Sequence, residues 1–403
     1  MTLDKKRNTF ALLALAMSAF AIGTTEFISV GLIPLISKDL HISVTTAGLT
    51  VSIYALGVTF GAPILTTLTS TISRKYLLLL IMVVFILGNS IAAFATNISV
   101  LLVGRVISAF AHGLFMSIGS TIAANLVPEN RRASAISIMF SGLTVATVTG
   151  VPIGTYIGQL FGWREAFIAI IIVGLIAFIA NSILVPSNLL KGTRTSFRTQ
   201  INLITNGRLI LLFTITALGY GGTFVVFTYL SPLLQNITGF KEGTVAALLL
   251  IYGVAIGIGN MIGGKVANRN PISALFYMFI IQVVILFLLT FTAPFKILGL
   301  ITIILMGLLA FMNVPGLQVY VVILAERFVP SGVDVASAMN IAAFNVGIAI
   351  GSYLGGIVTD SIGLINTPWI GALMVLGAVI LTAWSRSLEN KDQKNYSGAT
   401  SFR

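Results

Sequence analysis

The chain has no cysteine. This excludes disulfides and thiolate metal sites, and an absence says nothing of redox compartment. Its only histidines are His41 and His112, too few for a multi-histidine zinc centre, so no metal is expected. Charge is scarce as well: 8% of the 403 residues are Asp, Glu, Lys or Arg, too little to cover a soluble body of this size. There is no G-x-x-x-x-G-K-[ST] loop to cradle ATP phosphates. The G-x-S-x-G elbow and the H-E-x-x-H helix are also missing, so neither an enzyme nor an organic cofactor is expected.

What fills the chain is apolar: 57% of residues are hydrophobic. Apolar runs separated by turns or charges predict an all-α integral membrane protein with twelve transmembrane helices. The spans fall near 10–35, 46–68, 76–95, 98–126, 133–159, 166–186, 208–232, 243–264, 272–292, 297–324, 336–358 and 367–385. The start, MTLDKKRNTF, is basic like a signal peptide, but no short apolar core with a small-residue cleavage site follows, so it reads as a retained first helix. The net charge of +12 would suggest nucleic acid in a soluble protein. Here it reflects position: eighteen of the 23 basic residues fall on the side that holds both termini, four on the other, and Arg105 lies inside a span. Positive residues stay cytoplasmic, so both termini are expected in the cytoplasm and no nucleic acid is expected as partner.

The stretch from Ser187 to Gly207 is the longest polar connection and carries Lys191, Arg194 and Arg198 without an acid. It divides the chain into an N-terminal six-helix bundle, 1–186, and a C-terminal one with a short tail, 208–403. The two repeat. At an offset of 198, GTTEFISVGLIPLIS (23–37) lies over GGTFVVFTYLSPLLQ (221–235), and Tyr54 falls on Tyr252. At 197, Gly150, Gly154 and Gly158 fall on Gly347, Gly351 and Gly355. Two pseudo-symmetric six-helix bundles in parallel repeat are the architecture of secondary transporters, with the substrate site between them near the midplane.

Within the first span lies Glu26. An ionised carboxylate in hydrocarbon costs at least a few kcal/mol, so it is read first as functional, with snorkelling to the nearer interface as the alternative. Its repeat position holds Phe224, so the chargeable site exists in one half only. Arg105, in the fourth span, cannot shed its proton and needs a partner. Helical rise puts it at a depth similar to Glu26, which makes that carboxylate the candidate, backbone carbonyls and water being the alternative. A Glu that trades an arginine for a proton is a minimal coupling device, and a static structural pair is the bland reading. His112 is two helical turns beyond Arg105 on the same face, placed to relay protons or simply to bond between helices.

Glycines recur every four positions at Gly150, Gly154, Gly158 and Gly162, and again at Gly347, Gly351 and Gly355. Such stripes let helix backbones approach closely, for packing or for sliding. Pro152 removes a donor inside the first and predicts a bend. FMNVPGLQ (311–318) predicts a locally opened tenth span lining a polar cavity, with Asn313 in it. Asn345, Tyr220, Phe224, Phe227 and Tyr229 are candidate cavity residues, although aromatic stripes are more often packing.

With these residues the chain resembles the major facilitator superfamily, and within it the twelve-span drug:proton antiporter group and its bacterial sugar-, arabinose- and purine-efflux-like branch. TTEFISVGLIP (24–34) looks like that branch's first-span signature. RVISAFAHG (105–113) resembles the fourth-span motif whose arginine is linked to proton transfer, with His112 where many members have Gln. TGVPIG (149–154) resembles the fifth-span antiporter motif, with the glycine pair after Pro152 altered, while GWREAF (162–167) and PENRRASA (128–135) look like the usual sixth-span entry and 4–5 loop. The loop after the second span departs: TTLTSTISRK (66–75) keeps Leu68, Arg74 and Lys75 but has Ser70 in place of the family's Asp. GKVANR (264–269) has Asn268 there, followed by Arg269. The latch at the cytoplasmic gate must then rely on hydrogen bonds or other charge pairs.

The resemblance and the residues together imply a monomeric secondary transporter of the bacterial cell membrane. It would export a small organic molecule, such as a drug, sugar or nucleobase, against protons. The proton gradient would be its energy source, and Glu26, Arg105 and His112 its coupling residues. Proton-coupled import is the alternative within the class, and a non-transporting sensor or scaffold the alternative outside it.

Overall fold

Thirty-eight residues, Thr2–Asp39, form one helix, α1, that runs through Pro34 without a break. In the computed structural model, which describes residues 2–69, 71–128, 132–187, 189, 197–267, 270–330 and 333–400, the described regular structure is all helical. A chain surrounded by lipid must satisfy its backbone within each segment, and helices do this locally. α2 (Val44–Leu68), α3 (Arg74–Ala93), α4 (Ile98–Asn125), α5 (Arg132–Val145), α6 (Val151–Phe161) and α7 (Trp163–Leu184) complete the first half. A short helix, α8 (Phe197–Thr205), lies in the polar connection. The second half comprises α9 (Gly207–Phe227), α10 (Leu230–Pro232), α11 (Glu242–Ala267), α12 (Pro271–Thr292), α13 (Lys296–Ala310), α14 (Val314–Phe328), α15 (Val333–Ser361) and α16 (Thr367–Thr400). Among the described residues twelve helical segments are long and apolar enough to cross a membrane.

Short polar side chains set several starts. Asn97 accepts from Val100 N at 3.0 Å, Asn206 from Arg208 N at 3.0 Å, and Asn270 from Ser273 N at 3.1 Å with Pro271 in the first turn. Each satisfies donors that a helix start leaves open. Gly162, at φ +119°, ends α6 and begins α7. It is thus a stop rather than the fourth rung of the glycine stripe.

Three spans differ from simple rods. The fifth span is joined by a wide π-type turn, Ala146–Gly150, between α5 and α6. The bend predicted at Pro152 is taken up there, because Pro152 cannot donate to the Val148 carbonyl. The seventh breaks after Phe227 and continues through Leu230–Pro232 into a second π-type turn, Leu233–Ile237. The tenth opens between Ala310 and Val314, just before Pro315 and Gly316.

Within each half the long helices pack on one another: α1 on α5, α6 and α7, α2 on α4, α3 on α4 and α7; then α9 on α15 and α16, α12 on α16, α11 on α13. Between the halves, α2 meets α15, and α11 meets α6 and the first π-type turn. These two contacts exchange under the repeat. Phe27, Val30, Val51, Ala55 and Val151 of the first half join the apolar core of the second.

Candidate functional site

The glycine stripes fix where the first and seventh spans sit. A Cβ at Gly150, Gly154 or Gly158 would strike Thr24, Ile28 or Leu32 of α1. At Gly347, Gly351 or Gly355 it would overlap the carbonyls of Ala217, Gly221 or Val225 of α9. Both stripes therefore pack inside their own half, and the surface where halves could slide lies elsewhere. The repeat also carries a matched polar pair. Thr25 donates to Asn89 Oδ1 at 3.2 Å, and Thr223 receives Gln282 Nε2 at 2.5 Å.

Arg105 is fully buried. Its guanidinium donates to three main-chain carbonyls: Thr25 at 2.6 Å, Glu26 at 3.1 Å and Thr50 at 3.0 Å. It also lies 4.0 Å above the Tyr54 ring, a favourable cation–π placement. The charge pair expected with the Glu26 carboxylate is not formed. The carbonyls, the alternative left open by the sequence, take all the described hydrogen bonds of Arg105. With five N–H donors, the guanidinium can bond three oxygens lying in different directions at once.

Beside it, the Tyr54 hydroxyl and His112 Nδ1 are 3.1 Å apart, and both side chains are buried. Arg105 and His112 thus bracket one tyrosine. Tyr54 was visible in the sequence only as a repeat match, since a lone aromatic in an apolar span carries no chemical signal.

Glu26 is 8% exposed, and no hydrogen bond or ion pair links a described residue to its carboxyl oxygens. The next residue, Phe27, enters a seam of rings between the halves. It lies 6.0 Å from Phe224, 6.2 Å from Phe227 and 6.2 Å from Phe311. Tyr220 contacts Phe224, Phe311 and Phe344 at 5.0, 5.3 and 4.9 Å. Tyr252 stacks on Phe227 at 5.3 Å. The candidates Tyr220, Phe224 and Phe227 are brought together here. Phe27, Phe311, Phe344 and Tyr252 join them, which the sequence did not single out as site residues.

The amides divide. Asn313, fully buried at the start of α14, donates to Gln282 Oε1 at 3.2 Å, and Asn345 donates to the Ile341 carbonyl at 3.0 Å. The Oδ1 atoms of both, and the Tyr252 hydroxyl, are buried without a hydrogen-bond partner among the described residues. Buried polar atoms are nearly always paired, so each of these retains capacity for a further partner, water included.

Three hydrogen bonds join the halves among the described residues, all at the end away from the termini. Thr45 Oγ1 reaches the Gly356 carbonyl at 3.0 Å and Asp360 Oδ1 at 2.7 Å, and Gln159 Nε2 donates to the Glu242 carbonyl at 2.7 Å. Beside the first two, Tyr229 donates to the Ser352 carbonyl at 3.2 Å. Its hydroxyl occupies the space left by Gly48 and Gly356. At the opposite end, Arg74 and Lys75 begin α3, and Arg74 Nε is buried without a partner. Ser70, Asn268 and Arg269 lie outside the described residues.

The sequence matches the profile of the Major Facilitator Superfamily over residues 15–328. It is 75% identical to the MFS-type transporter YtbD of Bacillus subtilis (strain 168) over 394 residues, 98% of this chain and 100% of that protein. It is 35% identical to the inner membrane transport protein YdhP of Escherichia coli (strain K12) over 377 residues, 93% of this chain and 96% of that one. With the MFS-type transporter YfhI of Bacillus subtilis it shares 31% identity over 399 residues, 98% and 99% of the two chains.

Proposed function

Because the chain belongs to the Major Facilitator Superfamily and is a multi-pass membrane transport protein, we propose that it is a proton-coupled antiporter exporting a small organic molecule by alternating access. The reading is carried by Glu26: a carboxyl buried in the first span, without a hydrogen-bond or ion-pair partner among the described residues, beside a seam of aromatic rings between the halves. A carboxyl there is open to a proton in one arrangement and to solvent or substrate in another, whereas one locked to arginine would have to break an ion pair each cycle. The rings suit a substrate with a flat or apolar body such as a drug or nucleobase. With the basic end in the cytoplasm, the Thr45, Gln159 and Tyr229 contacts face outward, and this arrangement is sealed on that side.

The test uses everted membrane vesicles carrying the protein, an acidified lumen and a pH-sensitive dye. Drugs, sugars and nucleobases are added in turn. A substrate that draws protons out of the lumen supports antiport. Protons moving in the same direction as the substrate would mean symport rather than antiport. No proton movement with any of them, in vesicles that bind the same compounds, would sink proton coupling.

A further inference from the structure

Tyr54 and Tyr252 occupy the same register in the two halves, yet their hydroxyls are treated differently. Tyr54 is bonded to His112 Nδ1. The repeat offsets of 197 and 198 put Leu309 and Ala310 where His112 stands, and neither can bond a phenol. The Tyr252 hydroxyl is accordingly buried with no hydrogen-bond partner among the described residues. Its ring is nonetheless held firmly. One face stacks on Phe227 with an interplanar angle of 19°. Against the ring edge lies Gly307, where a Cβ would come within 2.7 Å of Cδ2 and 2.8 Å of Cε2. The following residue, Gly253, receives the backbone of Val148 from the other half; a Cβ there would lie 2.8 Å from the Val148 carbonyl. So the tyrosine is fixed at a turn where the halves meet, in the same ring cluster as Phe27, with an unused donor.

We propose that Tyr252 is a substrate-binding residue whose hydroxyl donates to an uncharged acceptor on an aromatic ligand stacked in the seam. The acceptor class is a carbonyl oxygen, an ether oxygen or a pyridine-type ring nitrogen. A buried phenol is ordinarily bonded, and here the fold supplies the ring cluster but leaves the bond to the ligand. The assignment rests on the reading of the seam as the substrate path. It adds the specificity that reading lacks: the first half contributes the proton-carrying group, the second a neutral donor. A site built around a hydrogen-bond donor discriminates against analogues that cannot accept.

The experiment measures binding to the purified full-length protein at pH 8 by ligand-dependent thermal stabilisation. The probes are quinoline and 2-acetylnaphthalene, with naphthalene as the analogue lacking an acceptor. Wild type is expected to bind the first two about tenfold more tightly than naphthalene, the worth of one hydrogen bond. Tyr252→Phe is expected to lose that preference while keeping its affinity for naphthalene. Without ligand, Tyr252→Phe should melt at or above the wild-type temperature, since it removes a buried donor that protein does not satisfy. The proposal is overturned if the preference survives in Tyr252→Phe, if wild type has none, or if the ligand-free variant melts clearly lower, which would mark a structural bond. Binding is read without a pH gradient, so failure of proton exchange in vesicles and failure of this assignment are separate results.

Discussion

Arg105 Nη2 lies 3.1 Å from the main-chain carbonyl of Glu26, and among the described residues the carboxyl of the same residue has no hydrogen-bond or ion-pair partner. The arginine therefore grips the backbone of the turn that carries the acid. It sets where Glu26 sits without bonding to its carboxyl.

Arg105→Lys tests this grip. A single ammonium on a flexible stem cannot reach the Thr25, Glu26 and Thr50 carbonyls together. Losing two such bonds is expected to cost about 3 kcal/mol, at roughly 1.5 kcal/mol for each bond to a charged group. The melting temperature in detergent should fall, and transport in proteoliposomes should drop at least tenfold. A lysine variant with wild-type melting and transport would show that the carbonyl contacts are incidental.

Glu26→Gln keeps the shape of the side chain but cannot cycle charge. Substrate binding and downhill exchange should survive, and accumulation against an imposed pH gradient should be lost. Glu26→Asp should retain part of both. If Glu26→Gln concentrates substrate as wild type does, the proton carrier is another group, and His112 becomes the next to test.

The Tyr54–His112 contact of 3.1 Å should appear as an energetic coupling. In a double-mutant cycle of Tyr54→Phe and His112→Leu, the coupling in unfolding free energy is expected to be about 1 kcal/mol. Additive losses from the two single changes would mean that the pair shares no bond in the membrane.

Gly253→Ala addresses the contact between halves. The new methyl would lie 2.8 Å from the Val148 carbonyl and 3.0 Å from its Cα, both backbone atoms with little freedom to yield. The halves should be propped apart on that side. A Gln159→Cys/Glu242→Cys pair on that side reports this, because the chain has no cysteine of its own and Gln159 reaches the Glu242 carbonyl at 2.7 Å. Oxidative cross-linking should fall to less than about half when Gly253→Ala is added, since a shift of 1 kcal/mol changes a population ratio about fivefold. Unchanged yield would remove this contact from the closing of the halves.

The amino-acid sequence determined how many times the chain crosses, where the fifth and tenth spans depart from a simple rod and which charges are buried. Those properties are local: a span needs an unbroken apolar run, Pro315 and Gly316 lie just beyond the break between α13 and α14, and Glu26 and Arg105 stand out against hydrocarbon. It also determined the repeat, since Thr25 and Thr223 match by position alone, and each carries the polar contact described for its half. The tertiary structure decided what each of these groups touches. The rotation of a helix about its own axis places Arg105 on carbonyls instead of a carboxylate, Tyr54 on His112 and Phe27 against Phe224. It also turns the glycine stripes inward on α1 and α9. In a soluble protein the boundary between apolar and polar faces reveals that rotation. In a bilayer the outward face is as apolar as the inward one, so the pattern carries no such mark, and packing against neighbouring helices sets it.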